Sequence, residues 1–135
     1  MPMGGDGSRE VLRQVVRVLA LAPIGTGAAA ALFGTAIIPD VKSVDPSVES
    51  EMRFFAVWWV GAGIYLYTLA ARIEVAGKEL RVLCALLFSS GCVRWLSVAV
   101  DGWPHPIFVT LASVEVALPV LLVVWQSKVA APANA

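Results

Sequence analysis

Four stretches of the chain are almost free of charge, and charged residues fall between them. The first, residues 18–38, reads VLALAPIGTGAAAALFGTAII and carries no ionisable side chain. The second, 54–71, is FFAVWWVGAGIYLYTLAA and is also uncharged. The third, 82–100, contains Arg94, and the fourth, 107–126, contains Glu115. A helix needs roughly 20 mainly apolar residues to cross the hydrocarbon core of a bilayer. Barrel strands would be about 10 residues long and alternate in polarity. No alternation is present, so the pattern predicts an all-α membrane protein, an antiparallel bundle of four transmembrane helices.

The connections are short. Residues 39–53 form an acidic loop with Asp40, Asp45, Glu49 and Glu51, and 72–81 form a mixed-charge turn. Residues 101–106, DGWPHP, are a tight turn whose glycine and prolines end one helix and start the next. Residues 1–10 and 128–135 are expected to be disordered, flanking a transmembrane domain at 11–127. Arg13 and Arg17 ahead of an apolar run with consecutive alanines also fit a secretory leader. The run continues to Ile38, which favours a retained helix.

Composition agrees with the pattern. Hydrophobic residues make up 59% of the chain and charged residues 15%, and mean hydropathy is +0.79. Soluble domains are about 45–50% apolar and about 25% charged. The lipid bilayer is therefore the expected solvent. Ten basic and ten acidic residues cancel, and no basic run exists to track a phosphate backbone, which argues against nucleic acid. Lys and Arg distribute unevenly. Seven (Arg9, Arg13, Arg17, Arg72, Lys78, Arg81, Lys128) fall on the side of the N-terminus, and two (Lys42, Arg53) on the other. The positive-inside rule then places both termini in the cytoplasm. Arg53, Trp103 and Pro104 are expected at the outer interface. The abundance of Ala, Val, Gly and Arg suits a GC-rich bacterial genome, and a helical multi-pass protein of a bacterium is expected in the inner membrane.

An ionisable residue at membrane depth costs about 2.5–3.5 kcal/mol at a helix centre on insertion scales, so it marks a candidate site. Arg94 lies six residues inside the end of the third span, roughly 9 Å deep, and Glu115 eight residues inside the start of the fourth, roughly 12 Å deep. The two helices are antiparallel neighbours, which predicts an Arg94–Glu115 ion pair. Ser90, Gly91, Ser97 and Asp101 share the helical face of Arg94 and form a small, polar stripe. Tyr65 of the second span is a candidate donor to Glu115. Pro119 frees the carbonyl of Glu115 from its helical bond. Such a pair can fix helix register, hold a ligand or move a proton, or sit at a subunit contact. The first span adds small residues at four-residue spacing, with Gly27, Ala31 and Gly34 as helix-packing positions.

Other chemistry lacks a signature. Cys84 and Cys92 stand about 12 Å apart along one helix, too far to pair. His105 is the sole histidine, which argues against a multi-histidine metal site. No catalytic, phosphate-binding or dinucleotide motif occurs, and no cofactor is expected.

Arg53-Phe54 after the acidic loop, Gly91-x-x-Arg94-x-x-Ser97, Gly102-x-Pro104 and Glu115 together resemble a family of small four-helix bacterial membrane proteins, domain of unknown function 4345. The resemblance covers about residues 15–127. It implies the four-helix fold and shared polar positions at Arg53, Arg94, Ser97 and Glu115, and it implies no activity. The leading expectation is an accessory or structural subunit of a larger membrane assembly; the expected partners are the bilayer and either such an assembly or further copies of the chain in a homo-oligomer. The alternative is a lipid or amphiphile binder or carrier that uses the Arg94–Glu115 site. Acid–base catalysis by Arg94, Glu115 and Tyr65 ranks third.

Overall fold

The computed structural model describes residues 4–130. Four α-helices follow in order: α1 (Gly4–Phe33), α2 (Pro46–Ala70), α3 (Gly77–Asp101) and α4 (Pro106–Ala130), with one 3₁₀ turn (Gly34–Ile37) after α1. No strand occurs among the described residues. The chain divides into two compact units, Arg13–Ala71 and Met1–Leu12 with Arg72–Ala135.

The helices run further than the apolar stretches. Residues 4–10 and 128–130, expected to be disordered, are helical. The expected disorder at 1–3 and 131–135 lies outside the described residues. The acidic loop is also shorter than predicted, because α2 begins at Pro46. Asp45 caps that helix by accepting from Ser47 N–H at 2.8 Å, and Pro46 occupies the first turn, where no N–H is needed. At 1.5 Å per residue, 25-residue helices reach about 37 Å, beyond a hydrocarbon core of about 30 Å.

Three helical segments are long and apolar enough to cross a membrane: Asp6–Ile37, Gly77–Asp101 and Pro106–Ala130. At most 22% of each apolar window is buried within the protein. Helix α2 is not among them. Its helical apolar stretch ends at Ala70 and is diluted by Trp58, Trp59, Tyr65, Tyr67 and Thr68, whose polar atoms lower its hydropathy.

In the unit containing α3 and α4, the buried residues of α4 are Ala112, Glu115, Pro119, Leu122, Gln126 and Val129. They alternate three and four residues apart, the 3.5-residue repeat of a coiled-coil seam. Leu80, Cys84 and Gly91 are the buried positions of α3 and keep the same repeat. Gly91 lets the backbones approach: a Cβ there would meet Ala112 O at 2.9 Å and Glu115 Cβ at 3.0 Å. At the far end of the seam Gln126, only 2% exposed, donates to Ile73 O at 3.1 Å and packs on Gly77.

In the other unit, Val16, Ala20, Gly27, Ala30 and Gly34 of α1 and the 3₁₀ turn are buried at the same alternating spacing. Gly27 abuts the Ala56 carbonyl and Val60 of α2, and Gly63 abuts Ala20 and Pro23 of α1. The α1–α2 seam is thus made of small residues, which bring helices close without large side chains. Arg13 closes the seam by donating to Ala70 O at 3.2 Å.

Candidate functional site

The α3–α4 seam carries one ionisable residue from each helix. Arg94 Nε lies 2.9 Å from Glu115 Oε2. The donor is not aligned along that contact, so it is an ion pair rather than a well-directed hydrogen bond. Exposure is unequal: 41% for the Arg94 side chain and 11% for that of Glu115. The carboxylate is the enclosed partner, and the guanidinium reaches outward. Ser90, one turn before Arg94, sets its hydroxyl beside the same carboxylate. The guanidinium carbon stands 6.0 Å from the Phe108 ring centroid, so the cation also faces an aromatic surface.

One turn further along α3, Ser97 Oγ donates to Asp101 Oδ2 at 2.7 Å. Asp101 is the last helical residue. Gly102 follows at φ 100°, a left-handed conformation that favours glycine, and its N–H donates to Val98 O at 3.2 Å. His105 immediately precedes α4: its carbonyl accepts from Phe108 N–H at 2.9 Å and its Nδ1 from Ile107 N–H at 3.3 Å. The histidine is thereby engaged in capping. Trp103, 77% exposed, meets Trp95 edge to face with centroids 6.5 Å apart. Arg94, Ser97, Asp101, Trp103, Pro104 and Phe108 together line a half-open cleft of about 320 Å³ at the loop end of α3 and α4.

Tyr65 belongs to the other unit, on α2, where it is exposed. Arg53 is also there, in an arrangement that sequence reasoning did not foresee. Its Nη1 donates to Ala31 O and Leu32 O, both at 2.8 Å, satisfying carbonyls left open where α1 ends. Its Nη2 bonds Glu49 Oε1 at 3.0 Å. Glu49 in turn accepts from Thr35 Oγ1 at 2.7 Å and Thr35 N–H at 3.1 Å. These Thr35 bonds, followed by Arg53, hold the Glu49 carboxyl below its ordinary value. Gly34 has φ 60°, and a Cβ there would fall on the Glu49 carboxylate. Ala31 and Gly34, read from sequence as packing positions, therefore serve this carboxylate–guanidinium clasp, while Gly27 sits at the α1–α2 contact. The signal was present as Glu49 four residues before Arg53, the helical ion-pair spacing, inside a segment read as loop. Gln126 was missed as well; its signal is a lone amide on the buried repeat of the fourth span.

Helical fold, apolar surface and polar seam define a small helical membrane domain. The family model described as Domain of unknown function (DUF4345) matches residues 11–126, and the chain belongs to that family. No curated protein and no solved structure matches it.

Proposed function

We propose that this protein is an accessory or structural subunit of a larger membrane assembly, with four membrane-crossing helices and both termini on the cytoplasmic side of a bacterial inner membrane. In this reading α2 crosses with the other three, its Trp and Tyr side chains serving as interfacial and packing groups. The observation that carries the proposal is how the chain uses its polar and apolar groups. Arg94 and Glu115 pair with each other on a helix seam, where ion pairs and polar residues set register. The outward side chains are large and apolar on every helix, among them Leu32, Val57, Leu86 and Leu121. Such a surface suits lipid and partner helices alike. Affinity purification of the tagged protein from its native membrane in mild detergent, with mass and composition analysis, tests the proposal. A stoichiometric protein partner supports it; a stable lone monomer contradicts it.

The cleft supports a second reading, a binder of a lipid or amphiphile. Arg94 is half exposed at a cavity of about 320 Å³, within the size range of small-molecule sites, about 300–1,000 Å³. Lipid retention by the purified protein, compared with Arg94→Ala, tests it.

A further inference from the structure

The geometry points to a binding site for a phospholipid headgroup that carries both a phosphate and an ammonium, formed by Arg94, Asp101 and Trp103 in the cleft at the α3–α4 loop. This rests on the second reading above and assigns the chemistry of its ligand.

Three observations converge. First, Arg94 pairs with Glu115 through Nε, 2.9 Å from Oε2. Its Nη atoms have no hydrogen-bond partner among the described residues, and the side chain opens into the cleft. A guanidinium with its fork unoccupied is suited to two phosphate oxygens at once. Second, the site carries more negative than positive charge. Glu115 already pairs the one guanidinium, and Asp101 lines the same cleft, so a ligand that is only anionic meets a surplus carboxylate. A ligand that brings its own cation neutralises it. Asp101 uses Oδ2 on Ser97 and keeps Oδ1 for an ammonium N–H. Third, Trp103 is 77% exposed while its ring is braced edge to face by Trp95. A braced, open indole face is the preferred aromatic surface for an ammonium.

Placement agrees with the chemistry. The cleft closes the ends of two segments long enough to cross a membrane, Gly77–Asp101 and Pro106–Ala130, where headgroups sit. Arg94 and Asp101 lie two turns apart on one face, roughly 10 Å along the axis. That distance accommodates a phosphate and an ammonium joined by a two-carbon link, each at hydrogen-bond length from its partner. A phospholipid rather than a soluble phosphate ester is favoured because Val98 and Phe108 add apolar walls to the cleft.

The test is native mass spectrometry of the full chain in detergent, titrated with phosphatidylethanolamine, phosphatidylcholine and phosphatidylglycerol of one acyl composition. The amine headgroup is expected to bind about five-fold or more tighter than phosphatidylglycerol, the combined reach of an exposed ion pair and a cation–π contact. Phosphatidylcholine, which stacks on Trp103 but cannot donate to Asp101, should fall between. Asp101→Asn should bring the amine lipid down to the level of phosphatidylcholine and leave the other two lipids unchanged, and Trp103→Ala should weaken both ammonium lipids. Both residues are exposed, so helicity by circular dichroism should not change. Equal binding of ethanolamine and glycerol lipids overturns the assignment while leaving the second reading intact. Retention of no phospholipid overturns both. Soluble O-phosphoethanolamine binding as tightly as the lipid overturns the membrane source.

Discussion

Removing one partner of the Arg94–Glu115 pair should have unequal consequences. Glu115 is the enclosed group, with its side chain 11% exposed, whereas Arg94 is 41% exposed. Arg94→Ala leaves a carboxylate on the seam beside Gly91 and Ala112 with only Ser90 nearby. Breaking a buried pair costs about 3–5 kcal/mol. The half-exposed arginine reduces that here to about 2–3 kcal/mol. Glu115→Gln leaves an arginine that can extend its long side chain outward, so the loss should be about 1 kcal/mol or less, the range of exposed pairs. Replacing both by apolar residues of similar size, Arg94→Met with Glu115→Leu, should come within about 1 kcal/mol of wild type, because no charge is left stranded. The assay is reversible unfolding in mixed micelles at rising dodecyl sulfate fraction, followed by circular dichroism, with wild type, the two single variants and the apolar double variant compared under the same conditions. The charge-swapped double variant, Arg94→Glu with Glu115→Arg, should regain expression lost in the two single charge reversals, Arg94→Glu and Glu115→Arg. Equal costs for the two single substitutions, together with additive costs in the double variant, would refute the reasoning.

Three further outcomes follow from the same geometry. Gly91→Ala should destabilise by about 1–3 kcal/mol in that micelle assay, the usual cost of overpacking, because its Cβ would press on Ala112 O, Val116 and Glu115. Gln126→Leu should cost about 1–3 kcal/mol by leaving the Ile73 carbonyl unsatisfied, visible as faster exchange of amides around residues 73–77. The Glu49 carboxyl sits below its ordinary value of 4.5 through Thr35 and Arg53, so its stabilisation is present above that value and lost as pH falls through the lower native one. Thermal melts from pH 6 to pH 3 should fall less steeply for Glu49→Gln than for wild type.

Helix number and the polar seam were legible because charge is expensive in an apolar run, so Arg94 and Glu115 stand out wherever they occur. That the two face each other follows from helical rise and a short turn alone. Helix ends were less legible. Residues 4–10 and 46–53 are polar enough to resemble loop, yet they continue helices whose backbone bonds are already nucleated. The Glu49–Arg53 clasp was hidden by that misplaced boundary: in a loop the two side chains share no fixed spacing, whereas in α2 they stand one turn apart. Gly34 carried a double meaning. Its small size fits a packing stripe, and only the turn at φ 60° shows that the missing side chain makes room for a carboxylate. The 3.5-residue repeat of α4 could be read from Ala112, Glu115, Pro119, Leu122, Gln126 and Val129 once the apolar background is ignored. Uniform hydrophobicity obscures it, since lipid-facing and seam-facing residues are equally apolar.

The most direct test of an accessory role is photocrosslinking in the native membrane, before any detergent is added. A photoreactive amino acid is placed in turn at Leu32, Val57, Leu86 and Leu121, exposed apolar positions on the four helices, and products are resolved by mass. The proposal predicts one discrete protein adduct of constant identity from at least one of these helices, with lipid adducts from the rest. Lipid adducts alone from all four would contradict it.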